Sequence, residues 1–327
     1  MRRRDFLSTA AAAAALLPTA ALAETFAPAA PPTTAPDPNA MPLGLLISPA
    51  EGPEETIRRV HDLGLPTCFF SLDAYIGKFT PALATQFKGL LAKYTVTCTT
   101  VEVVGPQPLV WDFMQGPATI GLVPRATRAP RIDALKQASD FAKLLGVRQV
   151  QTHCGFIPEN PDDPLYKETV AAIKEVAEHC AKNDQRFLME TGQETPTTMS
   201  RAIRDVGLPN LGVGLDTANL ILYGKANPVD AVAILGPHVH SIHAKDGRWP
   251  TDPDKLGEEV LIGTGLVDFH KVFEGLRKAG YTGAITIERE THGPKQIEDV
   301  HQEALIVRGT VLRDFFDGGD GFLVKRV

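Results

Sequence analysis

The sequence predicts a single (β/α)8 barrel. Eight short β-type runs are spread between residues 43 and 288, and helical apolar stripes fill the gaps between them. A doubly wound open sheet is the alternative, but no Gly-rich phosphate loop follows the first run, as a dinucleotide-binding version would need.

In chain order the strands are expected at 43–48, 67–72, 95–104, 148–153, 186–190, 211–216, 239–243 and 284–288. Between the fourth and fifth, Tyr166, Val170, Ile173, Ala177 and Cys180 recur at helical spacing. Asp268 is an expected N-cap for the stripe Phe269, Val272, Phe273 and Leu276, which stops before Gly280. Ile297, Val300, Ala304, Val307 and Val311 mark the last helix. Two long connections, roughly 105–130 and 247–267, are expected to form lids or rims over the site.

The amino-terminal segment lies outside this pattern. Met1-Arg2-Arg3-Arg4-Asp5-Phe6-Leu7 leads into an Ala/Leu-rich run ending Ala21-Leu22-Ala23. A basic start, a short apolar region and an A-x-A site predict a cleavable signal over residues 1–23, with Glu24 as the first mature residue. Arg3-Arg4-Asp5-Phe6-Leu7 resembles the twin-arginine type, which exports folded proteins. The expected location is periplasmic or secreted, with no stable membrane span after cleavage. Residues 24–42 contain a run of prolines (Pro28, Pro31, Pro32, Pro36, Pro38, Pro42) and are expected to form a linker ahead of a catalytic domain at 43–327.

Composition narrows the class. The chain is 43% hydrophobic and 22% charged, as in ordinary globular proteins. Loss of residues 1–23, with three Arg and one Asp, takes the formal charge from −6 to −8. An acidic chain without basic runs argues against nucleic acid as a partner. Cys68, Cys98, Cys154 and Cys180 have no metal spacing and read as small buried hydrophobes.

Four consecutive runs each end in one metal-capable side chain: Glu190, Asp216, His243 and Glu288. In a barrel the carboxyl ends of the strands converge on one face, so these four would meet over the axis. Three carboxylates placed there would repel one another, and a divalent cation removes that conflict. Three oxygens and an imidazole suit a fairly hard six-coordinate ion: Mn²⁺ first, with Mg²⁺, Co²⁺ or Zn²⁺ as alternatives. His153, at the end of the fourth run, is in position to touch a substrate hydroxyl or to be a core histidine. Glu102 reads as a solvated strand end, and Trp111 and Phe113 as loop packing. Lys245 and Asp246 are expected to pair with each other.

The segments MET at 189–191, GLDTANL at 214–220, HSIHAKDG at 240–247, GTGLVDF at 263–269 and GYTGAITIERE at 280–290 carry a resemblance. From about 43 to 313 the chain resembles sugar isomerases and epimerases of the xylose isomerase-like barrel superfamily. The resemblance implies that Glu190, Asp216, His243 and Glu288 bind one divalent metal. It implies proton abstraction beside a carbonyl through a metal-stabilised enediolate, with Glu190 and Glu288 as acid and base. Arg248, in a loop where family members often carry a basic residue, joins His153, Asn219 and Lys245 as the expected substrate-binding residues. Many epimerases have His three residues after the Asp ligand; here that position is Asn219, which keeps hydrogen bonding and loses a titratable group. A homodimer is a further expectation.

Export directs the substrate expectation to an unphosphorylated sugar. The alternative is a lyase or dehydratase acting on 3-keto sugars or 3-keto glycosides. An abasic-site-type nuclease would need a basic groove and further ligands, and a non-catalytic sugar-binding protein would not need all four.

Overall fold

The computed structural model of the chain describes residues 41–291 and 293–316. The expected signal peptide at 1–23, most of the linker at 24–42 and residues beyond 316 lie outside them. The barrel strands are β1 (Leu43–Ile47), β2 (Thr67–Ser71), β3 (Thr97–Glu102), β4 (Gln149–His153), β5 (Arg186–Glu190), β6 (Leu211–Asp216), β7 (Val239–Ala244) and β10 (Ile285–Ile287). They close in the order β1-β10-β7-β6-β5-β4-β3-β2, and every neighbouring pair is parallel. A two-stranded antiparallel hairpin, β8 (Asp246–Arg248) and β9 (Glu258–Val260), is inserted between β7 and β10.

Ten helices lie among the described residues: α1 (Pro53–Asp62), α2 (Pro81–Tyr94), α3 (Gly116–Thr119), α4 (Arg125–Leu145), α5 (Pro164–Lys182), α6 (Pro196–Val206), α7 (Asn219–Leu222), α8 (Pro228–Leu235), α9 (Phe269–Lys278) and α10 (Pro294–Phe316). The local sequence explains their starts. Proline opens α2, α5, α6 and α8, while Thr80, Asp163, Thr195 and Asn227 just before it each accept from a first-turn backbone N–H. Asp268 caps α9 through Lys271 N–H. Gly146 and Gly207 adopt the left-handed conformation that ends α4 and α6.

The apolar stripes face the sheet. Tyr166, Ile173, Ala177 and Cys180 of α5 are buried, as are Phe269, Val272, Phe273 and Leu276 of α9. In α10 the stripe holds at Val300, Ala304 and Val307, but Ile297 is 46% exposed; the side chain of Val311 lies outside the described residues. All four cysteines are free thiols, three of them buried.

The two long connections are ordered by single buried side chains. Helix α4 begins at Arg125, so the first loop is shorter than the sequence suggests and ends at Pro124. Arg131, fully buried, reaches out of α4 and donates to the carbonyls of Pro106, Pro108, Thr119 and Gly121. One guanidinium has five N–H donors in a rigid fork, enough to gather a loop with little secondary structure of its own. In the second connection Asp246 does the equivalent work with acceptors. Its Oδ1 accepts from Gly247 and Val267, and its Oδ2 from Gly263 and Gly265. A Cβ on Gly265 would stand 2.1 Å from Asp246 Oδ1, so glycine is required there by close approach.

Candidate metal centre

Four strand ends build the centre. Glu190 ends β5 and Asp216 ends β6, while His243 lies one residue before the end of β7 and Glu288 follows β10 directly. Register brings them level: Glu190 pairs with Gly214, Asp216 with His243, and Thr286 with His243. Each of the four offers one ligand atom such that all lie within 4.8 Å of one another. Three are buried and Glu288 is partly exposed.

Two threonines hold the strand ends together. Thr191 Oγ1 donates to Asp216 O and accepts from Asp216 N, both at 2.9 Å. Thr217 Oγ1 donates to Lys245 O and accepts from Lys245 N. A threonine follows each of two candidate ligands, Glu190-Thr191 and Asp216-Thr217. Below the ligands Gln151 donates to Glu190 Oε2 at 3.0 Å. It fits because Gly214 has no Cβ, which would stand 2.1 Å from Gln151 Oε1. Phe69 forms the floor, its ring 4.6 Å from the His243 ring in an edge-on contact.

The donor chemistry fits a divalent ion. His243 Nδ1 faces Glu288 Oε2 at 3.0 Å, Glu190 Oε1 at 3.2 Å and Asp216 Oδ2 at 4.0 Å. Asp216 Oδ2 and Glu288 Oε2 are buried without a hydrogen-bond donor, while Asp216 Oδ1 is committed to Asn219 N at 2.7 Å. Converging carboxylate oxygens left unsatisfied in the interior are costly unless a cation takes them.

Protonation follows the same crowding. Burial raises Asp216 well above the usual carboxylate range. Glu190 is held well below it against burial, by His153 and then His243. Glu288 is likewise brought down to about 2 against burial, by Lys245 and His243. His243 is pushed well up, with burial opposed by Glu190 and Glu288.

The expected substrate-binding residues divide. His153 is 7% exposed, with Nε2 3.2 Å from Glu190 Oε2. Asn219 Nδ2 donates to Glu190 Oε1 at 3.4 Å. Lys245 is fully buried and donates to Glu290 at 2.8 Å, with Glu288 at 3.4 Å and Asp216 at 3.9 Å. It does not pair with Asp246, whose oxygens are taken by backbone N–H groups. Arg248 is not brought to the centre: its side chain is 57% exposed and lies 3.8 Å from Glu258 across the hairpin.

Two residues read as bland are at the centre. Glu102 is 6% exposed, not solvated, and burial together with neighbouring Glu190 raises its carboxyl well above the usual range. The Trp111 ring packs edge-on against His153 at 4.8 Å. Both line a cavity of about 530 Å³ that also reaches Asn219, Tyr223 and Glu288. A second cavity of about 610 Å³ opens at the amino ends of β5 and β7, far from the ligands, beside Arg186 and His240. Active sites of this architecture sit at the carboxyl ends, so the first cavity is the one that bears on chemistry.

A family model described as xylose isomerase-like TIM barrel matches residues 57–308. An uncharacterized protein of Methanocaldococcus jannaschii is 27% identical over 171 residues, 49% of this chain and 56% of that protein. The L-ribulose-5-phosphate 3-epimerase UlaE of Shigella boydii is 27% identical over 179 residues, 50% of this chain and 57% of that protein. The chain thus spans little more than half the length of these curated relatives. The solved structure of a xylose isomerase domain protein from Planctomyces limnophilus is 32% identical with a TM-score of 0.77, covering 84% of this chain and 99% of that one.

Proposed function

The chain belongs to the xylose isomerase-like TIM barrel family, and from that membership we propose a divalent-metal-dependent sugar isomerase or epimerase. The observation that carries the reading is the set Glu190, Asp216, His243 and Glu288, with ligand atoms within 4.8 Å of one another at the carboxyl end of the barrel. Similarity to a sugar-phosphate 3-epimerase supports the reaction class.

A cation held there, Mn²⁺ by the donor set, supplies positive charge to a substrate carbonyl and its neighbouring hydroxyl. The chain's own groups do the proton work. Glu190 and Glu288 stand on strands separated in the barrel by β6 and β7, so their carboxylates flank the space between them. One takes the proton from the carbon beside the carbonyl; the other returns one from the opposite side, which inverts that carbon. Lys245, 3.4 Å away, keeps Glu288 ionised, and hence able to accept. Asn219 and Gln151 hold the Glu190 carboxylate in orientation.

Two guanidiniums border the cavity. The cationic residues lining it are Arg59 and Arg289. Arg59 lies 3.8 Å from Glu51, and Arg289 is engaged by Glu259 at 2.7 Å and Asp299 at 3.0 Å. Arg59 Nε is buried without a hydrogen-bond partner, and the unphosphorylated substrate rests on the export signal rather than on the cavity. The signal read at residues 1–23 supports an activity outside the cytoplasm.

The test is turnover of a panel of free ketoses and 3-keto glycosides by metal-loaded protein, followed by NMR. A new epimer or isomer is expected. Glu190→Gln and Glu288→Gln are each expected to lower turnover by about 10²–10⁴-fold with the circular dichroism spectrum unchanged. Wild-type rates in either variant would remove the assigned acid and base. Release of water or an aglycone would transfer the site to a lyase.

A further inference from the structure

We propose that Cys68 and Cys98 form a disulfide that ties β2 to β3 once the chain stands in an oxidising compartment. The bond is independent of the reaction assigned above. The signal read at residues 1–23 bears on it only by directing the chain to where such bonds persist.

Backbone register puts the two residues within reach. Cys68 and Cys98 are direct partners in the parallel β2–β3 pair. Neighbouring strands stand about 4.8 Å apart, and a disulfide bridges Cα atoms about 4.4–6.8 Å apart. Partners in register also point to the same face of a sheet. The Phe69 ring faces His243 inside the barrel, so Cys68, one residue earlier, faces the helices. Cys98 packs against the same apolar cluster as Cys68. The thiols are neighbours there: burial first, and then the Cys98 thiol, push the Cys68 thiol well up.

The ladder is weakest at this point. Pairing passes from Cys68–Cys98 to Phe69–Thr100, so Thr99 is an extra residue on β3. Its Oγ1 donates to Cys68 O at 3.2 Å, and Cys98 Sγ donates to Thr100 O at 3.4 Å. A thiol is a weak donor, so turning the Cys98 sulfur toward Cys68 forfeits little. The cross-link pins the two strands where the bulge interrupts them, one residue before Phe69, the floor of the metal centre.

The chemistry divides between the two sulfurs. Cys98 is partly exposed and Cys68 is buried, so an external disulfide such as oxidised glutathione meets Cys98 first. The Cys98 thiolate attacks that disulfide and expels one glutathione thiolate. The Cys68 thiolate then attacks the Cys98 sulfur of the mixed disulfide and expels the second. Two electrons pass to the oxidant, and its two thiolates take up the two protons that the cysteines release. The other two cysteines lack such a partner among the described residues. Cys154 follows β4 and neighbours Glu194, and Cys180 lies on α5 beside Ser139.

The test is thiol counting and peptide mapping by mass spectrometry on the purified full chain in mixtures of reduced and oxidised glutathione. One arm keeps the chain folded throughout; the other refolds it from urea in the same buffer. Two of the four thiols are expected to disappear, with a linked peptide joining Cys68 to Cys98. The bond closes a loop of about 30 residues and so restricts the unfolded chain. The melting temperature should therefore rise by several degrees on oxidation and return with dithiothreitol. Cys98→Ser and, independently, Cys68→Ala are expected to abolish both the linked peptide and this redox response. Their circular dichroism spectra and melting temperatures under reducing conditions show whether each variant has folded. Four free thiols after both arms, a glutathione adduct on Cys98 that never closes, or a link between any other pair of cysteines would overturn the proposal.

Discussion

At the residue scale, the four candidate ligands stand out because each closes an apolar run with one charged or imidazole side chain, and the fold brings their ligand atoms within 4.8 Å of one another. Glu102 ends a run in the same way, yet its burial comes from Glu190 and His153, which are distant in sequence and adjacent only once the barrel closes. The Lys245–Asp246 pair failed for a simple reason. Successive residues of an extended segment point to opposite sides, so the Lys245 ammonium goes to Glu290 and the Asp246 carboxylate to the loop at 263–267. A pH prediction belongs at this scale. His243 and Asp216 both hold protons above their ordinary ranges, and a ligand must lose its proton before a metal can use it. Mn²⁺ affinity should therefore rise with pH, as calorimetric titrations at pH 6, 7 and 8 can measure. Affinity independent of pH would contradict these protonation states.

At the element scale, all eight barrel strands lie within a residue or two of where periodicity put them. The β8–β9 hairpin was not foreseen. Its strands are three residues each, Asp246–Arg248 and Glu258–Val260, too short and too polar to show a period. Arg248 is expected at the site from the resemblance, but the hairpin turns its guanidinium outward beside Glu258. The hairpin is tied down through Arg289, which joins Glu259 of β9 to Asp299 of α10. Nearby, Glu303 Oε1 accepts from Ile262 N at 3.2 Å, and burial pushes the Glu303 carboxyl up to about 8. Between its unfolded value near 4.3 and about 8, the folded chain keeps a proton that the unfolded chain has lost. Stability from this group therefore falls as pH rises through that window. Glu303→Gln keeps an acceptor without the charge. It should leave the melting temperature unchanged near pH 4 and raise it at pH 8, an effect that thermal denaturation across pH will register; an equal effect at both pH values would contradict the assignment.

At the scale of the whole molecule, the alternation of strands and helices decided the barrel, and the barrel decided that residues about 100 positions apart in sequence share one centre. The converging acidic strand ends place mutually repelling groups where the fold needs rigidity, so a bound cation should stabilise the native state. An ion present at 100 times its Kd and bound only to the folded chain adds about 2.7 kcal/mol. Mn²⁺ should thus raise the melting temperature and chelator should return it to the metal-free value. A melting temperature indifferent to both would mean that the cluster is held by its own protons and Lys245.

The most direct measurement is solvent exchange at carbon. Metal-loaded protein in D₂O with a substrate ketose should place deuterium on the carbon beside the carbonyl, in step with appearance of the epimer or isomer. Chelation, Glu190→Gln and Glu288→Gln should each stop it. Turnover that leaves every carbon-bound hydrogen in place would contradict proton abstraction as the work of this site.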